Sequence, residues 1–241
     1  MKIKQVGFEK RTIAEIVTED FKTAGVFKKY GIDFCCGGKK NLKDVCEQKK
    51  LDSQEIIDAL SKVSSNSDET TEQYNKWSLD YLTDHIVNTH HKYVEEQVPI
   101  LRDFTRKVGK VYGDERPETK IIALLFEQIA QELEHHMHKE EQILFPYIKS
   151  LTLGKNIQSM MFESVKSPIA MMEQEHEGAG LLMGKIAELS SQYTPPSYAC
   201  NTYKAAYHLL SEFEKNLHVH VHLENNILFP KVIQLEHEIL G

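Results

Sequence analysis

The stretch His136–Pro146, His-Met-His-Lys-Glu-Glu-Gln-Ile-Leu-Phe-Pro, returns at His220–Pro230 as His-Val-His-Leu-Glu-Asn-Asn-Ile-Leu-Phe-Pro. A repeat of this kind implies that the main body is a duplicated helical unit. In each copy a His and a Glu stand four residues apart, which sets both side chains on one face of a helix. Two such helices facing each other can assemble a metal site inside a bundle.

The rest of the chain fits an all-α reading. Four long helical segments are expected: about Trp77 to Lys110, with a kink at Pro99 and a stop at Gly113; from Pro117 to about Ser150; from Ser167-Pro168 to the Pro195-Pro196 pair; and from Ser197 to about Glu236. Residues 157–166 can add a short helix. No alternating strand pattern occurs, and the short connections favour antiparallel neighbours, hence an up-down-up-down four-helix bundle. The polar run Ser64–Gln73 reads as a linker. It divides the chain into a small helical domain (1–63), the linker (64–75) and the bundle (76–241). In the small domain, Thr18 is expected to cap a helix carrying Phe21, Ala24, Val26 and Phe27 that ends at Gly31. Asp52 with Glu55 is expected to open the next helix.

Composition excludes several classes. A net charge of -7 argues against nucleic acid, which calls for a basic face. No segment reaches the ~20 apolar residues of a membrane span, and MKIKQVGFEK has no apolar signal region. Four scattered cysteines suit a reducing compartment, so the expected location is the cytoplasm.

Twelve histidines offer many candidate ligands. Those on the apolar stripes are His85 (with Leu82 and Ile86), His136 and Glu140 (with Ile129, Leu133, Met137, Ile143 and Leu144), His176 (with Met172, Ala179 and Met183), and His220 and Glu224 (with Phe213, Leu217, Val221, Ile227 and Leu228). His90, His91, His135, His138, His208, His218, His222 and His237 fall outside the chosen set and read as solvent-facing or outer-sphere groups. Buried carboxylates call for a partner or a cation. Four imidazoles and two carboxylates suit two bridged metals better than one tetrahedral zinc, and the bridged form in a bundle favours iron. The alternative is a set of core histidines with polar partners. Glu132 and Glu175 stand beside the ligand positions as supporting or proton-relay candidates, or as solvated glutamates.

Phe34-Cys35-Cys36-Gly37-Gly38 is the other unusual feature. It reads either as a reactive thiol tip carried on two glycines, able to be oxidised or nitrosylated or to hand over iron, or as two small buried residues at a tight turn.

These motifs together resemble the repair-of-iron-centres di-iron proteins of the ScdA/YtfE type. Gly31–Gly38 resembles that family's small N-terminal domain. Asp84-His85, the His135–Pro146 run, Glu173–Glu177 and the His218–Pro230 run resemble its hemerythrin-like domain, in the same order. The resemblance implies a hemerythrin-like four-helix bundle with two non-haem iron ions held by His85, His136, Glu140, His176, His220 and Glu224. Glu140 and Glu224 would act as bridges, with room for an oxo or hydroxo bridge. It implies damaged iron–sulfur proteins as partners and nitric oxide or O2 as small ligands. Three readings follow: an iron donor for cluster repair, a nitric-oxide-reducing redox protein, and an NO- or O2-binding module. No catalytic residue is assigned beyond the thiol candidates Cys35 and Cys36. A homodimer is compatible with such a chain.

Overall fold

The computed structural model describes residues 7–65, 74–154 and 164–240. Among these residues every regular element is helical, and the sole extended pairing is an isolated bridge between Thr12 and Asn41. They divide into two compact units. One holds the residues up to Ser78 together with Val221–Lys231; the other holds Leu79–His220 and the residues from Val232 on.

In the first unit α1 spans Ile13–Glu19. Its start is a capping box: the Thr12 hydroxyl accepts from the Glu15 N–H at 3.1 Å, and the Glu15 carboxylate accepts from the Thr12 N–H at 2.9 Å. Thr18, expected as a cap, lies inside α1. Asp20 does that work instead, accepting from the Lys22 N–H at 3.1 Å to open a short 3₁₀ turn that leads into α2 (Ala24–Lys29). Gly31 then takes φ +63°, a conformation that costs glycine little, and ends the helix. Helix α3 covers Leu42–Lys49 and α4 Ser53–Ser65. Asp52 caps α4 through the N–H groups of Gln54 and Glu55. Glu55 does not reciprocate, because its carboxylate accepts the Tyr30 hydroxyl at 2.8 Å. Ile13, Ile16, Phe27, Leu42, Ile56, Ile57 and Leu60 form the core.

A cut in the linker alone would leave Val221–Lys231 with the bundle. The structure groups this segment with the N-terminal residues for a visible reason. The Lys231 ammonium donates to the carbonyls of Asn75 (2.7 Å) and Trp77 (3.0 Å), and the Asn226 amide donates to the Phe34 carbonyl at 3.0 Å.

The four long segments are present, and three of them contain a π-turn. The first runs through α5 (Leu79–His85), a π-turn at Ile86–His91 and α6 (Lys92–Tyr112). Pro99 lies inside α6 without ending it. The second runs through α7 (Glu118–Lys139), a π-turn at Glu140–Leu144 and α8 (Phe145–Thr152). The third is α9, Lys166–Leu189, which begins just before the expected Ser167-Pro168 start and has no side-chain cap. The fourth runs through α10 (Asn201–Leu223), a π-turn at Glu224–Leu228 and α11 (Phe229–Leu240). The short helix expected at 157–166 falls largely outside the described residues. Helix α7 packs on α6 and on α9. Phe213 of α10 meets Phe126 edge-on at 5.4 Å and Tyr93 at 6.2 Å. The molecule is thus all-α, a four-helix bundle preceded by a small helical domain.

Candidate metal centre

Each π-turn sits where an acidic or imidazole side chain must face inward. A π-turn places one extra residue in a helical turn, and such insertions recur at functional sites. Here they begin at Glu140, begin at Glu224 and end at His91.

The bundle brings two histidine groups around one carboxylate. His91, Glu140 and His220 offer ligand atoms within 4.8 Å of one another, and so do His136, Glu140 and His176. Glu140 belongs to both. One of its oxygens, Oε2, lies 3.3 Å from His91 Nε2 and 3.2 Å from His136 Nε2. All five residues are buried, with Glu140 and His220 at 0% exposure. Glu224 follows His220 by one turn of the same continuous helix and is itself fully buried.

On two of the rings the far nitrogen meets a carboxylate. His136 Nδ1 lies 2.8 Å from Glu175 Oε2, and Lys139 pairs with the other Glu175 oxygen. His136, then Lys139, hold the Glu175 carboxyl down at about 2 against the opposing effect of burial. An ionised carboxylate only accepts, so His136 Nδ1 carries a proton and Nε2 is the nitrogen turned into the site. His91 Nδ1 lies 2.7 Å from Glu141 Oε1 in the same arrangement. His136 Nε2 and His176 Nε2 then approach to 2.9 Å. Two ring nitrogens at that separation need a proton or a cation between them. Converging Nε2 atoms, a shared carboxylate and carboxylate-anchored Nδ1 atoms are what a metal-ligating His/Glu set requires. The residues fit a metal centre.

The structure differs from the sequence reading at one ligand position. His85 is half-buried beside Tyr81 and Thr89 and belongs to neither group, whereas His91 belongs to one. Counting at ~100° per residue from Leu82 holds only while the helix stays α. The π-turn at Ile86–His91 shifts the register after it by about one residue's rotation and swings His91 inward. The same effect leaves Ile143 at 39% exposure although the α periodicity sets it on the stripe. His90 and His222 are also buried. His90 is held by Asn216 Oδ1 at 3.1 Å and stacks on His220 at 5.5 Å. His135, His138, His208 and His237 are exposed, as expected. Glu175 takes the supporting position beside His136, whereas Glu132 is exposed and accepts from Gln128.

Residues 82–232 match the hemerythrin HHE cation-binding domain, and residues 9–64 match ScdA_N, described as a domain of unknown function (DUF542). The chain is 35% identical to the "Iron-sulfur cluster repair protein YtfE" of Citrobacter koseri over 95% of its own length and 99% of that protein. It is 33% identical to the "Iron-sulfur cluster repair protein ScdA" of Staphylococcus haemolyticus (91% and 96%). With the "Probable iron-sulfur cluster repair protein" of Haemophilus influenzae it shares 36% (95% and 99%). The chain belongs to the ScdA/YtfE family.

In this ScdA/YtfE chain the cysteine loop is pinned. Asp33 Oδ1 accepts the N–H groups of Cys35 (2.9 Å) and Cys36 (3.0 Å), and Oδ2 accepts that of Gly37 (2.9 Å). The two glycines permit close approach, and neither has positive φ. A Cβ on Gly38 would stand 2.6 Å from the Phe34 carbonyl, and one on Gly37 3.3 Å from Asp33 Oδ2. Cys35 is buried and Cys36 half-buried. The Cys36 thiol beside it, then burial, push the Cys35 thiol well above its ordinary range. Asn226 holds the loop from the helix side: its amide donates to Phe34 and lies 3.0 Å from His222 Nδ1. Burial lowers His222 to about 4, so it is neutral at pH 7 and Nδ1 accepts. Its ring packs 5.3 Å from Phe21 and 6.1 Å from Phe34.

Proposed function

We propose that this chain is a di-iron protein that supplies iron to iron–sulfur clusters damaged by nitrosative or oxidative stress. The observation that carries the reading is the Glu140 carboxylate shared between the two histidine groups. A single zinc would need four ligands and would leave one group surplus, while a shared carboxylate suits two ions side by side. The proposed ligands are His91, His136, Glu140, His176, His220 and Glu224. Glu140 and Glu224 would be the carboxylates shared between the two ions, with room for an oxo or hydroxo group. Complete burial of Glu224 one turn beyond His220 supports its place in the set. Bound iron would supply a redox-active, exchangeable store of ions.

The protein's own part is to keep that store dry, oriented and releasable. Glu175 and Glu141 hold the His136 and His91 rings with Nε2 inward. Nitrogen and oxygen donors of this kind bind ferrous ion less tightly than a thiolate cage, which suits donation. The relatives' names point to iron–sulfur proteins as partners. The cytoplasm is the proposed location, and no helix among the described residues is long and apolar enough to cross a membrane.

The test mixes iron-loaded protein, purified without free iron, with a dehydratase whose [4Fe–4S] cluster has been damaged by nitric oxide. Recovery of dehydratase activity with matched loss of iron from this protein is expected. Recovery at the same rate with a Glu140→Ala/Glu224→Ala variant would overturn the reading.

A further inference from the structure

Outside the bundle, the described residues hold one other cluster of metal-ligating side chains. Asp33, Cys35 and Cys36 offer one carboxylate oxygen and two sulfurs, all within 4.8 Å of one another. Two distances in this cluster bear on what it can hold. The sulfurs stand 3.8 Å apart. Two thiolates each about 2.3 Å from one tetrahedral ion stand about 3.8 Å apart. The Cys35 sulfur lies 3.2 Å from Asp33 Oδ1, close to the roughly 3.5 Å between a sulfur and an oxygen that share one tetrahedral ion. The loop is already set in this shape by three backbone N–H groups on the Asp33 carboxylate, so little ordering is left for binding. The sides differ in access: Cys35 is buried, whereas Cys36 is half-buried and Asp33 exposed.

We propose that Asp33, Cys35 and Cys36 form a second cation site, built for a thiophilic divalent ion and open on the Cys36 side. Two sulfurs and one oxygen leave a tetrahedral ion one position short. A structural site closes that position, whereas an exchange site leaves it for an incoming ligand. Each thiol that becomes a ligand gives its proton to solvent, and the carboxylate gives none, so binding weakens as pH falls. An ion held here can pass to a client's thiolates by ligand exchange through the open position, with no change of oxidation state. That the ion in the cell is ferrous rests on the iron-supply reading; the site itself does not.

Cobalt(II) is the probe, added anaerobically to full-length protein whose bundle is already loaded with iron. Thiolate ligation to cobalt gives a strong near-ultraviolet charge-transfer band that imidazole and carboxylate ligands do not give. One equivalent should develop the band. Cys36→Ser, at the half-buried position, should remove it while helical circular dichroism and the iron count stay unchanged, and Cys35→Ser should do the same. Cys46→Ser and Cys200→Ser should leave it intact. No band in the wild-type protein overturns the site, as does a band that survives in Cys36→Ser or disappears in Cys200→Ser. Because the bundle's iron is counted in the same samples, loss of this site is distinguishable from loss of the di-iron centre.

Discussion

Glu175 shows how one side chain outside the ligand set can govern a ligand. It holds His136 Nδ1 at 2.8 Å and is itself held by Lys139. Glu175→Gln can present its amide N–H to His136 and so reverse the ring's protonation. Iron affinity is expected to fall by roughly 10–100-fold, as for other outer-sphere changes, with helicity unchanged; competition against a coloured chelator measures it. His91 teaches a second lesson at this scale. His136, Glu140, His176 and His220 are buried where the stripes place them, because each lies on a helix that stays α up to that residue. His91 was not legible from its stripe, because no local rule marks where one residue will be inserted into a turn. Its Glu141 partner, fifty positions away in the chain, was equally invisible.

At the scale of elements, the cysteine loop and the π-turn that begins at Glu224 are tied by Asn226. Asn226→Ala removes the donor to the Phe34 carbonyl and the partner of His222 Nδ1. Cys35, now buried, should then react faster with a thiol reagent, while Cys46 keeps its rate; an unchanged Cys35 rate would show that Asn226 does not hold the loop. Gly38→Ala acts on the same loop from the opposite side. Its Cβ would meet the Phe34 carbonyl and the Ala14 side chain, at 2.6 and 3.1 Å. A loss of about 1–3 kcal/mol is expected from such overpacking, read from urea unfolding. The sequence leaves a mobile thiol tip and a tight turn of small buried residues both open. It could not show that the glycines serve close approach, because the approaching groups come from Asp33, Phe34 and Ala14.

Across the whole molecule, the turn before α9 and helices α8 and α11 meet at one carboxylate. Glu236 accepts the Tyr147 hydroxyl at 2.5 Å, the Val165 N–H at 2.7 Å and the Ser164 hydroxyl at 2.7 Å. Burial would raise its pKa, but these donors outweigh it and the net shift is downward. A carboxylate lowered on folding stabilises above its unfolded pKa of about 4.3 and loses that contribution as pH falls through its folded value. Glu236→Gln is therefore expected to cost about 1–3 kcal/mol at pH 7. The gap from wild type should shrink as pH falls below about 4.3, read from urea unfolding across that range. At this scale the sequence was most informative. The duplicated motif, the polar run and the helix periodicities foretold an all-α bundle with a small helical domain. They did not foretell that Val221–Lys231 would cluster with the N-terminal residues, since that depends on Asn226 and Lys231 reaching backbone carbonyls far away in the chain.

The most direct measurement is the iron content and Mössbauer spectrum of the iron-loaded protein beside His91→Ala and His85→Ala variants. Two spin-coupled irons per chain in the wild type and in His85→Ala, with loss or uncoupling of one in His91→Ala, is the predicted result. One iron in the wild type, or loss in His85→Ala with His91→Ala unaffected, would contradict the dinuclear centre proposed for this bundle.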